Sequence, residues 1–334
     1  MVHTAISGTA WPDAAARTAS APAALIEPSA SFASDFPQRP FAIRHRLAGH
    51  PLFTLPRIIE LLQRMPRDHI EFNSGKVGID QDPNEMPLLE MEPEEIIHRI
   101  ETASAWMVLK RVEVDAEYRV VLDEALDAVA RHRGHADRNA AGFSDIRGFL
   151  FVSSPRSTTP FHIDGEDNVF VQIHGEKLFT VYDNRDGKIA SPEAVERCIT
   201  RHRNLTYHDG FDVRAEPHKL LPGDGLFVPY LWPHWVGTAD SYSVSLAITW
   251  KTRAVMRHND LLLCNSLMRR LKLNPADPGR RPILDKVKAS SLGLARTAVE
   301  PLRRIEALRL ALRKIALGRN ANYYLRAGKS KPAA

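Results

Sequence analysis

Residues 158–177 read TTPFHIDGEDNVFVQIHGEK, and within this stretch a histidine and an aspartate, His162 and Asp164, stand one residue apart. In an extended strand, side chains two residues apart point to the same face, with a rise of about 3.3 Å per residue. The imidazole and the carboxylate can therefore converge on one point while Ile163 faces the other way. They predict two ligands of a metal site built from two histidines and one carboxylate.

The third ligand is expected from a distant strand, and His234 is the preferred candidate. It lies near the end of LPGDGLFVPYLWPHWV, residues 221–236, where a Pro-Gly-Asp turn precedes a predicted strand. Pro229 and Pro233 bracket a short loop that presents the imidazole, and proline lowers the cost of ordering such a loop. The other histidines considered as ligands are His174, His202, His208, His218 and His258.

The residues around these motifs are rich in short β-type runs. After Gly142 the runs GFLFVSS, NVFVQIH, KLFTVYD, GLFVPY and SYSVSLAITW follow one another, separated by turn residues. No helix-length crossover separates NVFVQIH from KLFTVYD, which favours an antiparallel sandwich or barrel. Helical periodicity is predicted over 56–65, 92–108 and 115–133, and again after Trp250. The sequence thus predicts a mainly β fold with helical flanks.

Composition narrows the class of protein. The 334 residues are 44% hydrophobic, which can supply a sizeable core. Cys198 and Cys264 are the only cysteines, too few for a disulfide framework, and no apolar run reaches the ~20 residues that span a bilayer. These features predict a cytoplasmic protein. Residues 1–38, rich in Ala, Ser, Pro and Thr, are predicted to be disordered.

Basic residues are concentrated at the C-terminal end. Residues 251–334 carry 20 Lys and Arg against 5 Asp and Glu, which leaves 25 basic and 35 acidic residues in the first 250. Such a segment can bind nucleic acid, anionic lipid or an acidic partner, or form a helical appendage. Nucleic acid is the less favoured partner, because no recognition motif accompanies the charge. Residues 299–315 are predicted to form a helix with an apolar stripe along one face, and this stripe must pack against another surface.

The motifs STTPFHID, NVFVQIHGEK and LPGDGLFVPYLWPHWV together resemble the jumonji C (JmjC), cupin-like iron(II) and 2-oxoglutarate dioxygenases, particularly the asparaginyl-hydroxylase branch. The resemblance covers residues 148–250. It implies a double-stranded β-helix (jelly-roll, cupin-like) core, with Fe(II) held by His162, Asp164 and His234 and with 2-oxoglutarate and O₂ as cosubstrates.

The same resemblance assigns three further residues to cosubstrate binding. Thr159, three residues before the first ligand, and Lys177, fifteen after it, correspond to the pair that holds the distal carboxylate of 2-oxoglutarate. Asn168, six after that ligand, corresponds to an asparagine that lines the cosubstrate site. A cation and a hydroxyl are suitable partners for a buried carboxylate.

The last predicted strand departs from the asparaginyl-hydroxylase pattern. That pattern ends in Asn-Phe-Trp, whereas Ile248 and Thr249 precede Trp250 here. A cosubstrate contact is therefore expected to be lost or replaced, and asparagine is not carried over as the target. Residues 39–255 are expected to form the catalytic domain, with N-terminal helices, and 256–334 a basic helical extension. The resemblance implies that the chain forms a homodimer through this extension.

The resulting functional hypothesis is a dioxygenase that hydroxylates a protein or peptide side chain, or a small molecule, while 2-oxoglutarate is decarboxylated to succinate. Two alternatives stay open. One is a non-redox cupin that uses its metal as a Lewis acid. The other is a non-catalytic JmjC-like binding module.

Overall fold

The computed structural model of the protein describes residues 24–299 except 83, 84, 88, 202 and 203, together with Leu308 and Ala311. Within them the strands are β1 Phe41–Arg44, β2 Ile70–Ser74, β3 Ala105–Lys110, β4 Ser144–Ser153, β5 Thr158–His162, β6 Asp167–His174, β7 Lys177–Tyr182, β8 Ala215–Leu220, β9 Asp224–Val228, β10 His234–Thr238 and β11 Ser243–Lys251. The α-helices are α1 Ser31–Ser34, α2 Leu55–Arg64, α3 Pro93–His98, α4 Ala116–His132, α5 Pro192–Arg201, α6 Arg253–Arg270 and α7 Pro282–Val299. In this part of the chain, no helix is both long and apolar enough to cross a membrane.

The strands form two antiparallel sheets. The larger sheet has the order β1-β9-β6-β11-β4-β3-β2 and the smaller one β5-β10-β7-β8. From β4 to β11 the chain alternates between the sheets, except that β7 and β8 are neighbours in the smaller sheet. This is the connectivity of a double-stranded β-helix, and the predicted fold is confirmed. Strands β1, β2 and β3 extend the larger sheet at its two edges.

The larger sheet is covered on both faces, which explains the nearly continuous apolar character of its central strands. On β6, Val169 and Val171 face the cluster shared with the helices, whereas Phe170 faces the inside of the barrel. On β11, Leu246 and Ile248 alternate in the same way with inward-facing residues. The alternation gives the barrel an interior that is separate from the main core.

Helices α2 and α4 form the outer layer. Asp115 caps α4, since its carboxylate accepts the amide hydrogen of Glu117, and Leu122 and Leu126 are buried in the core shared with the sheet. Both helices lie where the sequence predicts them, over 56–65 and 115–133, and each end differs from the prediction by one residue.

The helix predicted over 92–108 is wrong in its second half. Helix α3 ends at His98, and residues 105–110 form β3, which pairs with β2 and β4. The run AWMVLK is apolar enough to fit either structure, and a sheet edge available for pairing decides in favour of the strand. Ser104, at φ 53°, turns the chain between the two elements.

The segment predicted to be disordered, 1–38, is packed over its described part. Ile26 and Phe32 are fully buried in the main core, and the chain from 24 onward lies against α4 and β1. This segment has few apolar residues, but Ile26 and Phe32 each insert separately into the main core, and this is enough to hold the chain in place. Residues 1–23 and most of the stripe at 299–315 lie outside the described residues.

Candidate metal centre

The two predicted histidine ligands meet across a strand pair. His162 ends β5 and His234 begins β10, and the two are direct partners in the register of the smaller sheet. Their ring centroids are 4.2 Å apart. Asp164 lies in the loop after β5 rather than within the strand as the sequence predicts. Its backbone carbonyl accepts the amide hydrogen of Leu231, which ties this loop to the one preceding His234.

The three side chains form a compact group that can hold a metal ion. Asp164 Oδ1 lies 3.7 Å from His162 Nε2, and Asp164 Oδ2 lies 3.7 Å from His234 Nε2. One potential ligand atom from each residue lies within 4.8 Å of the others. Two nitrogens and one oxygen arranged around a common point are a suitable donor set for a non-haem iron(II) ion.

Hydrogen bonds to the backbone fix the orientation of both imidazoles. His162 Nδ1 lies 2.7 Å from the carbonyl oxygen of Pro160, and His234 Nδ1 lies 2.9 Å from that of Trp232. A carbonyl can only accept, so each Nδ1 donates and each Nε2 presents a lone pair. Burial, and next the electrostatic influence of the neighbouring His162, keep the pKa of His234 well below its usual value. His234 is therefore neutral, as a ligand must be.

The other candidate histidines do not join this group among the described residues. His174 is the exposed last residue of β6 and stacks on Tyr242 with centroids 4.2 Å apart. His218 lies on β8, and His258 packs its ring edge against Tyr230. His208 packs against Phe211, and His202 lies outside the described residues.

A cavity of about 120 Å³ opens beside the three ligands, in the space between the two sheets. All six residues predicted from the sequence line it, together with aromatic, acidic and small side chains from the strands. Its lining residues are Phe149, Phe151, Thr159, His162, Asp164, Glu166, Asn168, Phe170, Lys177, Phe179, His234, Val236, Ala247 and Thr249.

Lys177 is the cation of this cavity. It is the first residue of β7, only 2% exposed, and its Nζ donates to Ser245 Oγ at 3.0 Å. The rings of Phe151 and Phe170 lie 5.3 and 5.6 Å from Nζ. No carboxylate of the described chain pairs with it, and burial lowers the pKa of Lys177 to about 7. An anionic ligand is the partner that such a group lacks.

Thr159, on β5, lines the same cavity as Lys177. Its Oγ1 accepts a hydrogen bond from the indole of Trp106 at 2.9 Å, which leaves the hydroxyl proton available to another acceptor. The Thr159 hydroxyl and the Lys177 ammonium are thus two donors lining one cavity.

Two polar atoms in the cavity wall have no partner. Asn168 Oδ1 and Thr249 Oγ1 are fully enclosed and make no hydrogen bond within the described chain. Asn168 and Thr249 are register partners on β6 and β11, so they stand side by side. Ile248 faces the main core instead. Of the two residues that depart from the asparaginyl-hydroxylase pattern, it is therefore Thr249 that reaches the site.

Residues 88–255 match the sequence model of a family described as the cupin-like domain. The chain belongs to the cupin-like domain family. In a comparison with curated proteins, none matches. Among solved structures, one similar chain is Peruvianin-I, a cysteine peptidase from Thevetia peruviana latex, at 15% identity and a TM-score of 0.22. The match covers 31% of this chain and 49% of that one, so the aligned region spans about half of Peruvianin-I.

The cavity of this cupin-like domain fits a metal ion with an anionic cosubstrate. The ligand atoms supply the metal donor set, and Lys177 and Thr159 supply donors for a carboxylate. The orphaned Asn168 and Thr249 side chains add hydrogen-bonding capacity near the metal ligands.

Sequence reasoning missed two residues at this site. Ser245 holds the Lys177 ammonium, and Glu166 lines the cavity while it pairs with Lys251 Nζ at 3.0 Å. Thr249, which the sequence singles out only as a departure from the family pattern, faces Asn168. The strict alternation along SVSLAITW could have shown that Ser245, Ala247 and Thr249 share the inward face.

Proposed function

We propose that this cupin-like protein is an Fe(II)- and 2-oxoglutarate-dependent dioxygenase that hydroxylates a C–H bond. In that reaction, 2-oxoglutarate loses CO₂ and is oxidised by two electrons to succinate, and the substrate C–H is oxidised by two electrons to C–OH. O₂ accepts the four electrons, and its two atoms enter succinate and the new hydroxyl group. Fe(II), when bound, supplies the redox chemistry.

The observation that carries the proposal is the buried Lys177. A lysine placed in an apolar enclosure without a carboxylate is costly unless a ligand brings the counter-charge. Its ammonium lines the same cavity as His162, Asp164 and His234. A molecule that is held by its far carboxylate at Lys177 and chelates the metal with its other end satisfies both groups at once.

The chain's own residues then have separate tasks. His162, Asp164 and His234 hold the metal and leave the remaining coordination positions to ligands. Lys177 and Thr159 bind the distal carboxylate, and the aromatic rings around Lys177 exclude water from this end of the cavity. Asn168 and Thr249 bind polar atoms of the cosubstrate near the metal.

The test is an anaerobic titration with Fe(II) and 2-oxoglutarate that follows the visible metal-to-ligand charge-transfer band. We expect a band in the wild-type protein, and we expect Lys177→Ala to require far more 2-oxoglutarate for the same band. Succinate formed in air gives the second readout. Placement within the asparaginyl-hydroxylase branch is part of this proposal and is supported by the sequence motifs alone.

Two results would overturn the proposal. If no band forms while another divalent ion binds tightly, the protein is a non-redox cupin that uses its metal as a Lewis acid. If the purified protein takes up no metal even under anaerobic conditions, it is a JmjC-like binding module.

A further inference from the structure

A second cavity, of about 220 Å³, adjoins the metal centre. It shares four lining residues with the first cavity, namely Phe149, Phe151, Thr159 and His162. Because His162 is one of the metal ligands, a molecule in the second cavity lies next to the metal without occupying the cosubstrate space. This is the position that a hydroxylation substrate requires.

The wall of the second cavity is the outward continuation of one sheet face. In the register of the larger sheet, Val108 on β3 pairs with Phe151 on β4 and with Glu71 on β2. Trp106 on β3 in turn pairs with Asn73. Phe151 points into the barrel, and register partners on neighbouring strands point to the same face of a sheet. Glu71, Asn73, Trp106 and Val108 therefore point to that side as well. The apolar part of the wall lies next to β4, and the polar part lies at the sheet edge.

The polar part consists of an ion pair and a buried amide. Lys110 Nζ pairs with a carboxylate oxygen of Glu71, and their side chains are only 21% and 12% exposed. Asn73 is 6% exposed. All three line the cavity. A half-buried ion pair contributes little to stability, so stability alone does not explain its position in this wall.

We infer that this second cavity binds a free α-amino acid with an apolar side chain, as the substrate of the reaction proposed above, on which the inference rests. Glu71 accepts from the ammonium of the ligand and Lys110 donates to its carboxylate, while Asn73 supplies both a donor and an acceptor. The wall has one charge of each sign, which matches a zwitterion better than a molecule with a net charge.

The same arrangement orients the ligand. With its charged groups on β2 and β3, the side chain extends across Trp106 and Phe151 toward His162, so an aliphatic carbon faces the metal. A residue inside a protein has neither the free ammonium nor the free carboxylate. A protein substrate would therefore bring no counter-charge to Glu71 or to Lys110.

The first experiment measures binding by isothermal titration calorimetry. The probes are L-leucine, isocaproate, which lacks the amine, isoamylamine, which lacks the carboxylate, and N-acetyl-leucinamide, which mimics a residue within a peptide. Each is titrated into the metal-free full chain and into its anaerobic complex with Fe(II) and 2-oxoglutarate. We expect L-leucine to bind at least tenfold more tightly than the other three.

Two variants connect the binding to the proposed residues. Glu71→Gln and Lys110→Met are each expected to weaken L-leucine binding about 10- to 100-fold, the usual effect of losing a hydrogen bond to a charged group. The matched control is Asp240→Asn, which breaks the exposed pair between Asp240 and Arg156 and should leave binding unchanged. Circular dichroism of every variant verifies that it is folded.

Turnover supplies an independent readout. In air, L-leucine should increase succinate formation and gain one oxygen atom, detected by mass spectrometry. If the charge-transfer band forms but no free amino acid of a panel with aliphatic and aromatic side chains binds, this inference is wrong while the dioxygenase proposal stands. Tighter binding of N-acetyl-leucinamide than of L-leucine also overturns it, in favour of a peptide substrate. If no band forms, the dioxygenase proposal fails, and the assigned substrate role fails with it.

Discussion

In the proposed function, Lys177 binds the cosubstrate at the expense of stability. Removing its ammonium from water is costly, and the neighbouring Ser245 hydroxyl returns only one neutral hydrogen bond. Burial accordingly lowers the pKa of Lys177 to about 7. If the cavity binds the proposed anion, its cationic partner is already in place in the folded protein, and the buried lysine lowers the stability of the fold.

Replacing Lys177 by methionine separates these two effects. We expect Lys177→Met to raise the free energy of unfolding by about 1–4 kcal/mol, since an apolar chain of similar length fits the aromatic surroundings. The same change should weaken 2-oxoglutarate binding about 10- to 100-fold. Urea denaturation and calorimetric titration measure the two quantities.

The control for that substitution is Lys219→Met on β8, where the side chain is 63% exposed and pairs with Glu176. It should change both quantities little, because exposed pairs contribute about 0–1 kcal/mol. If Lys177→Met destabilised the protein while leaving 2-oxoglutarate affinity intact, Lys177 would have a structural role, contrary to the assignment.

The pKa of Lys177 also predicts a pH dependence with a definite sign. In the unfolded chain the lysine retains its ordinary pKa of 10.5, whereas in the folded protein it loses its proton near pH 7. Between these values the unfolded state binds more protons, so this group makes the protein more stable as the pH rises from 7 toward 10.5. The slope approaches about 1.4 kcal/mol per pH unit.

Affinity for a dicarboxylate should change in the opposite direction, because the anion requires the charged lysine and its binding becomes coupled to proton uptake above pH 7. Unfolding free energies and 2-oxoglutarate affinities at pH 6 to 9, each measured for the wild type and for Lys177→Met, test both trends. Equal pH profiles for the two proteins would contradict the prediction.

At the scale of elements, the short connection from β6 in the larger sheet to β7 in the smaller sheet is what carries Lys177 into the barrel. Gly175 and Glu176 form this connection, and Gly175 has a φ of +70°. A β-carbon at this position would collide with the backbone carbonyl of Tyr242. The glycine therefore permits both the change of direction and the close approach of the chain before β11.

Gly175→Ala is expected to destabilise the protein by roughly 2–4 kcal/mol, because the left-handed conformation and the collision with backbone both oppose the methyl group. It should also weaken 2-oxoglutarate binding, since Lys177 begins the strand two residues later. Gly187→Ala is the matched control. Gly187 has the same φ of +70° and no atom within 4 Å of the added carbon, so a cost of only about 1 kcal/mol is expected. Equal unfolding free energies for the two variants would show that the contact with Tyr242 is unimportant.

The elements also show how far the sequence alone can lead. The motifs, with the family that they resemble, predict the barrel and six of the fourteen residues that line the first cavity, because the motif spacing within 158–177 and the turn before β9 are local features. The second cavity was not predicted. Its walls come from β2 and β3, where AWMVLK carries a helical as well as a strand pattern, and only pairing with β4 resolves the ambiguity. Which faces of distant strands meet depends on register, which no local pattern contains.

At the scale of the whole molecule, the C-terminal helices differ from the rest of the chain in charge and in surface. Residues 251–334 contain all of the excess basic charge, since the first 250 residues carry more Asp and Glu than Lys and Arg. Helix α6 packs on α5 and α7, yet α7 exposes Ile283, Val287 and Leu294 to the extent of 83%, 59% and 73%. Spacings of four and seven residues place these three on one face of the helix. An apolar face of this kind marks a contact surface.

We expect this face of α7 to lie in a homodimer interface, and the double substitution Ile283→Lys with Leu294→Lys to yield a monomer. Sedimentation velocity at micromolar concentration measures the change, and Val213→Lys, at an apolar residue 89% exposed on the turn before β8, is the control that should remain dimeric. Two copies bring like charges together, so raising the salt concentration should strengthen the dimer by screening their repulsion. A wild-type protein that sediments as a monomer in both low and high salt would contradict the interface, and the exposed face of α7 would then need a different partner.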